Sequence, residues 1–307
     1  MSKAPIVFLI FNRPEHTKRS FAAIRSQRPS TLLIIADGPR AGNEADVAKC
    51  AEVRRIVSGV DWPCEVFHEY SDKNLGCRLR VSSGITWAFT KVERAIILED
   101  DCIPNTDFFE FCNTLLEFYE NNSKVWVITG NNFQNGIKHG DAAYYFSNYN
   151  HCWGWATWRR AWQYYDVSIP FWPDWARTND WKTKFATNEE RRAWKKIFDQ
   201  VKLGTIDTWD YQWTATVWLH NGLTATPNAN LVSNIGFGQD ATHTTVSSQL
   251  DSLPTQPLGK LIHPQTIAVN QAADKYVFNL IFRGPSIAIK IVHRLRIYSK
   301  QLLSIFK

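Results

Sequence analysis

Short apolar runs, each stopped by turn-forming or charged residues, constrain this chain more than any other feature. Ile6 to Ile10 runs into Phe11-Asn12-Arg13-Pro14, Leu32 to Ala36 into Asp37-Gly38, and Ala95 to Leu98 into Glu99-Asp100-Asp101. Continuous apolar runs of this length read as strands buried on both faces, the pattern of a central parallel sheet. Glu65 to Phe67 gives a shorter strand and Val125 to Ile128 a further one. Between them lie stretches at helical spacing. Pro14 suits a first helical turn, where no N–H donor is needed. Residues 76–91 are helix-like, and Phe108, Phe111, Cys112, Leu115, Leu116 and Tyr119 form one apolar stripe, with Asn105 or Thr106 placed to cap it. This alternation predicts an α/β fold with a mostly parallel sheet covered by helices on both faces.

The pattern changes after Gly130. Residues 131–188 are rich in Asn, Trp, Tyr and Gly and show little periodicity. Helices are expected around Trp194 to Val201 and over residues 210–220, and residues 223–257 read as loop. The expected division is a nucleotide-binding half (1–130), an acceptor-binding half of the same domain (131–257) and a basic tail (258–307).

Charge separates that tail from the rest. The chain of 307 residues has a net charge of +6, yet after Asp274 there are seven Lys and Arg and no acid. The body is therefore near neutral, which argues against a nucleic-acid-binding face. An apolar content of 44% suits a sizeable core rather than disorder. The six Cys contain no C-x-x-C pair, so they read as free thiols of a reducing compartment. The first apolar run is short for a signal sequence, and no run approaches the roughly 20 residues that span a bilayer. These features predict a cytoplasmic protein. Apolar and cationic residues mix at helical spacing over 275–307, a pattern suited to lying on an anionic membrane or to docking on the domain.

The acids carry the chemistry. Glu99-Asp100-Asp101 sits at the carboxyl end of a buried strand, the edge where open α/β sheets bind ligands. Adjacent carboxylates repel unless a cation or hydrogen bonds offset them. A hard divalent ion does so while neutralising a diphosphate. Asp37 ends a neighbouring strand and can accept from a base or ribose. Arg13 and Arg78 are placed to reach phosphates.

In this order, strand-Asn12-Arg13-Pro14, strand-Asp37-Gly38, Asn74-x-Gly76 with Arg78, and strand-Glu99-Asp100-Asp101 resemble the family 2-like glycosyltransferases of the GT-A (Rossmann-like) fold. They also resemble the N-acetylglucosaminyltransferase I group, and most of all bacterial proteins working on surface polysaccharides. The resemblance implies a metal-dependent, inverting transfer from a nucleotide diphospho-sugar, UDP-linked by default, to a glycan or lipid-linked acceptor. It places Mn²⁺ or Mg²⁺ on Asp101, the ribose or metal-bound water on Asp100 and the base on Asp37 and Phe11. It also makes Trp153-Gly154-Trp155-Ala156-Thr157-Trp158 similar to an acceptor-lining segment. Trp153, Trp155 and Trp158 then stack on sugars or pack a buried strand. A catalytic base follows the metal motif by about 100 residues, which favours Asp210, with Asp207 and Asp180 as competitors. His243, or Asp240, completes the metal shell. Competing classes are a sugar nucleotidyltransferase, whose Gly-rich loop after the first strand is missing here, and a Trp-rich carbohydrate-binding protein.

Overall fold

The computed structural model describes residues 3–237 and 250–283. Its first half follows the predicted alternation: β1 (Ile6–Ile10), α1 (Pro14–Gln27), β2 (Thr31–Ala36), α2 (Glu44–Val57), β3 (Glu65–Tyr70), α3 (Gly76–Lys91), β4 (Arg94–Glu99), the short β5 (Cys102–Pro104), α4 (Thr106–Phe118) and β6 (Val125–Thr129). Pro14 opens α1 as expected. At α4 the cap is Asn105, whose side chain accepts from the Phe108 N–H at 3.0 Å.

The remainder is more structured than its sequence suggested. It supplies β7 (Tyr144–Ser147), β8 (Trp155–Trp158), the short helices α5 (Arg159–Trp162), α6 (Trp172–Trp175) and α7 (Asn179–Thr183), then α8 (Asn188–Lys202) and α9 (Asp210–Leu219). β9 (Leu223–Pro227) and β10 (Val232–Asn234) fall inside the stretch expected to be loop. All five residues of β9 are buried, so no alternation marks it as a strand.

Eight strands form one sheet in the order β3-β2-β1-β4-β8-β6-β9-β7. β3, β2, β1 and β4 are parallel. β8 enters antiparallel between β4 and β6, so the sheet is mixed on that side. From β1 the chain moves outward through β2 and β3, then returns to the other side of β1 as β4. That reversal opens a crevice at the carboxyl ends of β1 and β4, where such sheets bind ligands.

Alternation along each strand feeds two cores. Ile6, Phe8 and Ile10 face a core closed by α1, α2 and α4. Val7 and Leu9 face another closed by α3, α8 and α9. Trp155 belongs to the second core and Trp158 to the first, at 1% and 2% exposure. The expectation that these two rings stack on an acceptor is therefore corrected: a central strand places them where no ligand reaches.

A two-stranded antiparallel ribbon, β5 with β10, pairs Cys102 with Asn234. It delivers the segment after Asn234 to the acidic cluster. The expected tail also begins within the body. Residues 271–277 form α10 and residues 278–282 a π-helical turn. Buried Asp274 fixes them by accepting from Ser147 Oγ at 2.5 Å and from the Asn148 N–H at 3.1 Å. No helix among the described residues is long and apolar enough to cross a membrane.

Candidate active site

A cavity of about 740 Å³ opens at the carboxyl edge of the sheet. Phe11, Arg13, Asp37, Asn74, Glu99, Asp100 and Asp101 line one side, and Trp153 and Asp210 stand among the residues of the other. Sites about 100 residues apart thus converge on one space.

The acids form its floor. Asp100 is buried, and its Oδ2 accepts from the Phe11 N–H at 3.3 Å. Asp101 Oδ2 accepts from Arg13 Nη1 at 3.0 Å, and Oδ1 accepts from Asn234 Nδ2 at 3.3 Å. Burial and then the Asp101 charge push Asp100 up to about 7, with Arg13 working against them. Burial, followed by Asp101, Asp100 and Asp210, pushes Glu99 well above the usual carboxylate range. Burial opposes the Arg13 charge, but Asp100 and Asp101 outweigh it and hold the guanidinium pKa above its ordinary value. Arg13, expected on a phosphate or base, is corrected to a counter-charge for the acids, because repelling carboxylates draw the nearest cation.

This donor set fits a hard divalent cation. Among the described residues no three His, Cys, Asp or Glu side chains converge into an all-protein cage. Mg²⁺-type sites need none, since one or two carboxylates share such an ion with phosphates and water. Asp101 lines the cavity, its two carboxylate oxygens accepting from Arg13 and Asn234. A Cβ on Gly236 would stand 2.0 Å from Asp101 Oδ2, so the backbone after β10 packs directly on that carboxylate. His243 and Asp240, the expected additional ligands, lie outside the described residues, a few positions beyond Gly236.

Several expected ligand contacts turn out to hold the protein itself. Asp37 Oδ1 accepts from the N–H groups of Gly38 and Leu75, both at 2.9 Å, and Oδ2 accepts from Gly76 N–H at 3.1 Å and Asn74 Nδ2 at 3.0 Å. Those bonds fill a carboxylate's four acceptor positions. Asp37, expected on the base, and Asn74, expected among the nucleotide-binding residues, are therefore corrected to the anchor of the α3 start. Asn12 lies off the cavity and donates to Asp46 Oδ1 at 2.7 Å. Arg78 is likewise off the cavity, paired with Asp207 at 2.8 Å. Phe11 keeps its cavity position, with the Arg40 guanidinium 5.8 Å over its ring.

Of the three candidate bases, Asp210 alone lines the cavity. Thr208 Oγ1 donates to its Oδ1. Asp180 instead accepts from Trp175 Nε1 at 2.8 Å. Trp153 also lines the cavity and meets Phe133 and Phe237 edge-on. Residues the sequence gave no reason to choose include Arg40, His151 and Phe282. Burial pushes His151 down to about 3, so it stays neutral. Phe282 stacks on Tyr149 with ring centroids 5.4 Å apart. The only signal for it was an apolar residue in a stretch set aside as tail.

The sequence matches the model of the GNT-I family over residues 2–191. The chain belongs to the GNT-I family. It is a glycosyltransferase of nucleotide-linked sugars, and the matched stretch contains the acidic cluster but ends before Asp210. No curated protein matches the sequence. Among solved structures, this GNT-I-family chain is similar to mannosyltransferase PcManGT from Pyrobaculum calidifontis in complex with GDP-Man and Mn²⁺, at 12% identity and a TM-score of 0.40, covering 71% of this chain and 70% of that one. It is also similar to a putative glucose-1-phosphate thymidylyltransferase from Bacillus anthracis (10%, TM-score 0.39, covering 78% and 92%). Mouse xyloside xylosyltransferase 1 is a third (10%, TM-score 0.35, covering 71% and 83%). Likenesses this distant concern the chain path alone.

Proposed function

We propose that this GNT-I-family enzyme transfers a sugar from a UDP-linked donor to a hydroxyl of a glycan or lipid-linked glycan, in one inverting displacement, with Asp101 holding Mn²⁺ or Mg²⁺. One observation carries this reading: the Glu99–Asp101 cluster and Asp210 border a single cavity from opposite halves of the chain.

The residues divide the work. Phe11 offers a flat apolar face beside the Arg40 cation, a setting suited to a nucleobase. Burial and mutual repulsion keep Glu99 and Asp100 from ionising fully, so charge at the floor rests on Asp101 beside Arg13, and a cation bound there would lie between Asp101 and the diphosphate. A divalent ion, when bound, neutralises the diphosphate and stabilises the leaving nucleoside diphosphate. Thr208 fixes Asp210 through Oδ1, and among the described residues Oδ2 has no hydrogen-bond partner. Asp210 Oδ2 takes the acceptor hydroxyl's proton as that oxygen attacks the anomeric carbon. Cys152, Trp153 and the π-turn wall the space and limit water. The basic residues from Lys275 onward fit an anionic membrane surface carrying a lipid-linked acceptor, in keeping with surface-polysaccharide synthesis in the cytoplasm.

The test pairs two variants. Asp101→Ala should abolish metal-dependent turnover of nucleotide sugars. Asp210→Asn should keep donor binding and lower transfer by about 10²–10⁴. Normal transfer by Asp210→Asn refutes the base assignment.

A further inference from the structure

The Asp101 carboxylate is oriented by residues far from it in the chain. The last torsion of an aspartate has broad wells, so the backbone alone does not decide which way the two oxygens face. Here each oxygen has its own donor. Arg13 Nη1, at the cap position of α1, reaches Oδ2 at 3.0 Å. Asn234 Nδ2, at the end of β10, reaches Oδ1 at 3.3 Å. Cys102 Sγ, a weak donor, adds a contact to Oδ1 at 3.6 Å. The carboxylate cannot turn about its last bond without breaking from one side or the other.

Asn234 is itself held in one orientation. It is 6% exposed and pairs with Cys102 across the β5–β10 ribbon. Its Oδ1 accepts from the Gly236 N–H at 2.8 Å. A backbone N–H only donates, so the amide oxygen faces Gly236 and the amide nitrogen is left turned to Asp101. The backbone beside it is tied down as well. Ile235 N–H donates to Asp101 O at 2.9 Å, and His16 Nε2 donates to Ile235 O at 3.0 Å.

The two main donors differ in charge. The Arg13 guanidinium repels any cation that approaches the same carboxylates. The Asn234 amide carries no charge, so it can hold Oδ1 in place with a cation present. Neutral partners of this kind orient metal-binding carboxylates, and removing one weakens metal binding by about 10–100-fold.

We propose that Asn234 is a positioning residue for Asp101, turning its carboxylate so that a divalent cation in the cavity can be held. This rests on the reading above in which Asp101 holds that ion. Nothing in the sequence marked Asn234, which stands 133 positions from Asp101.

The test compares the full chain with its Asn234→Ser and Asn234→Ala variants. Mn²⁺ is titrated with UDP or GDP present, and free Mn²⁺ is read from its electron paramagnetic resonance signal. A serine hydroxyl can accept from the N–H two residues on, as Asn234 Oδ1 does from Gly236, but it is too short to reach Asp101 as well. Asn234→Ser therefore keeps the turn and loses the donor, whereas Asn234→Ala loses both. Both variants should bind Mn²⁺ about 10–100-fold more weakly than wild type, with the metal-free far-UV circular dichroism of Asn234→Ser unchanged. Wild-type Mn²⁺ affinity in Asn234→Ser overturns the proposal, since the turn alone then suffices. If Asn234→Ala fails to fold, Asn234→Ser carries the comparison by itself. A wild type that takes up no Mn²⁺ with either nucleotide refutes the metal reading of Asp101, and the proposal falls with it.

Discussion

Gly236 and Asp101 pack so closely that a single added carbon on the glycine would overlap the carboxylate, 2.0 Å from Oδ2 and 2.9 Å from Cβ. Moving Oδ2 alone does not relieve this, so Gly236→Ala displaces the whole Asp101 side chain. Misplacing a reacting group by about 1 Å can cost 10²-fold. Steady-state assays should show metal-dependent turnover falling at least about tenfold, with far-UV circular dichroism unchanged.

Arg13→Met removes the counter-charge from Asp100 and Asp101. Leaving buried charge unpaired costs about 3–5 kcal/mol, so the unfolding midpoint should drop. Mn²⁺ should stabilise the variant more than wild type, because the ion replaces the lost positive charge. Equal Mn²⁺ shifts would show that the ion and Arg13 do not share these carboxylates.

Asp37→Asn probes anchor against base contact. An amide presents one acceptor oxygen where the carboxylate presents two, leaving backbone N–H groups of the α3 start unpaired, at about 1–3 kcal/mol. Urea unfolding should report that loss, while the preference for uridine over guanosine diphosphate stays as in wild type. A changed preference returns Asp37 to the base.

The tryptophans divide sharply. Trp155→Ala opens a large hole in the second core and should cost about 3–5 kcal/mol. Trp153→Ala, at the cavity wall and only partly buried, should cost less stability than Trp155→Ala and raise a substrate KM. Paired thermal and kinetic measurements separate the two.

Asp274 gives a pH dependence. Burial pushes it up to about 6, against the hydrogen bonds from Ser147 and Asn148. The folded state therefore keeps a proton that the unfolded chain, at about 3.9, has lost. Stability contributed by that proton is full below about pH 4 and disappears as pH rises through 6. Asp274→Asn should flatten this fall, by on the order of 3 kcal/mol, in urea titrations across that range.

Much of the first half was legible because local signals and tertiary outcome agree there. All five residues of Ile6–Ile10 are buried, as a continuous apolar run predicts, and Pro14 sits in the first helical turn, where no N–H donor is needed. β8 was harder. Its tryptophans carry no mark distinguishing a sugar platform from a strand interior, and only pairing with β4 and β6 decides it. Asp37 shows the same limit within the site. Its place at a strand end was readable, but the four donors that occupy it come from residues one, 37, 38 and 39 positions away.

The sequence by itself determined the alternating α/β plan, the acids at the carboxyl end of β4 and the family, because each is written in contiguous residues. Tertiary structure decided which charges pair, which aromatic rings reach a ligand and which distant acid faces Glu99–Asp101. Those depend on contacts between segments far apart in the chain, such as Gly236 on Asp101 and Phe282 on Tyr149, and local propensity carries no information about such pairings.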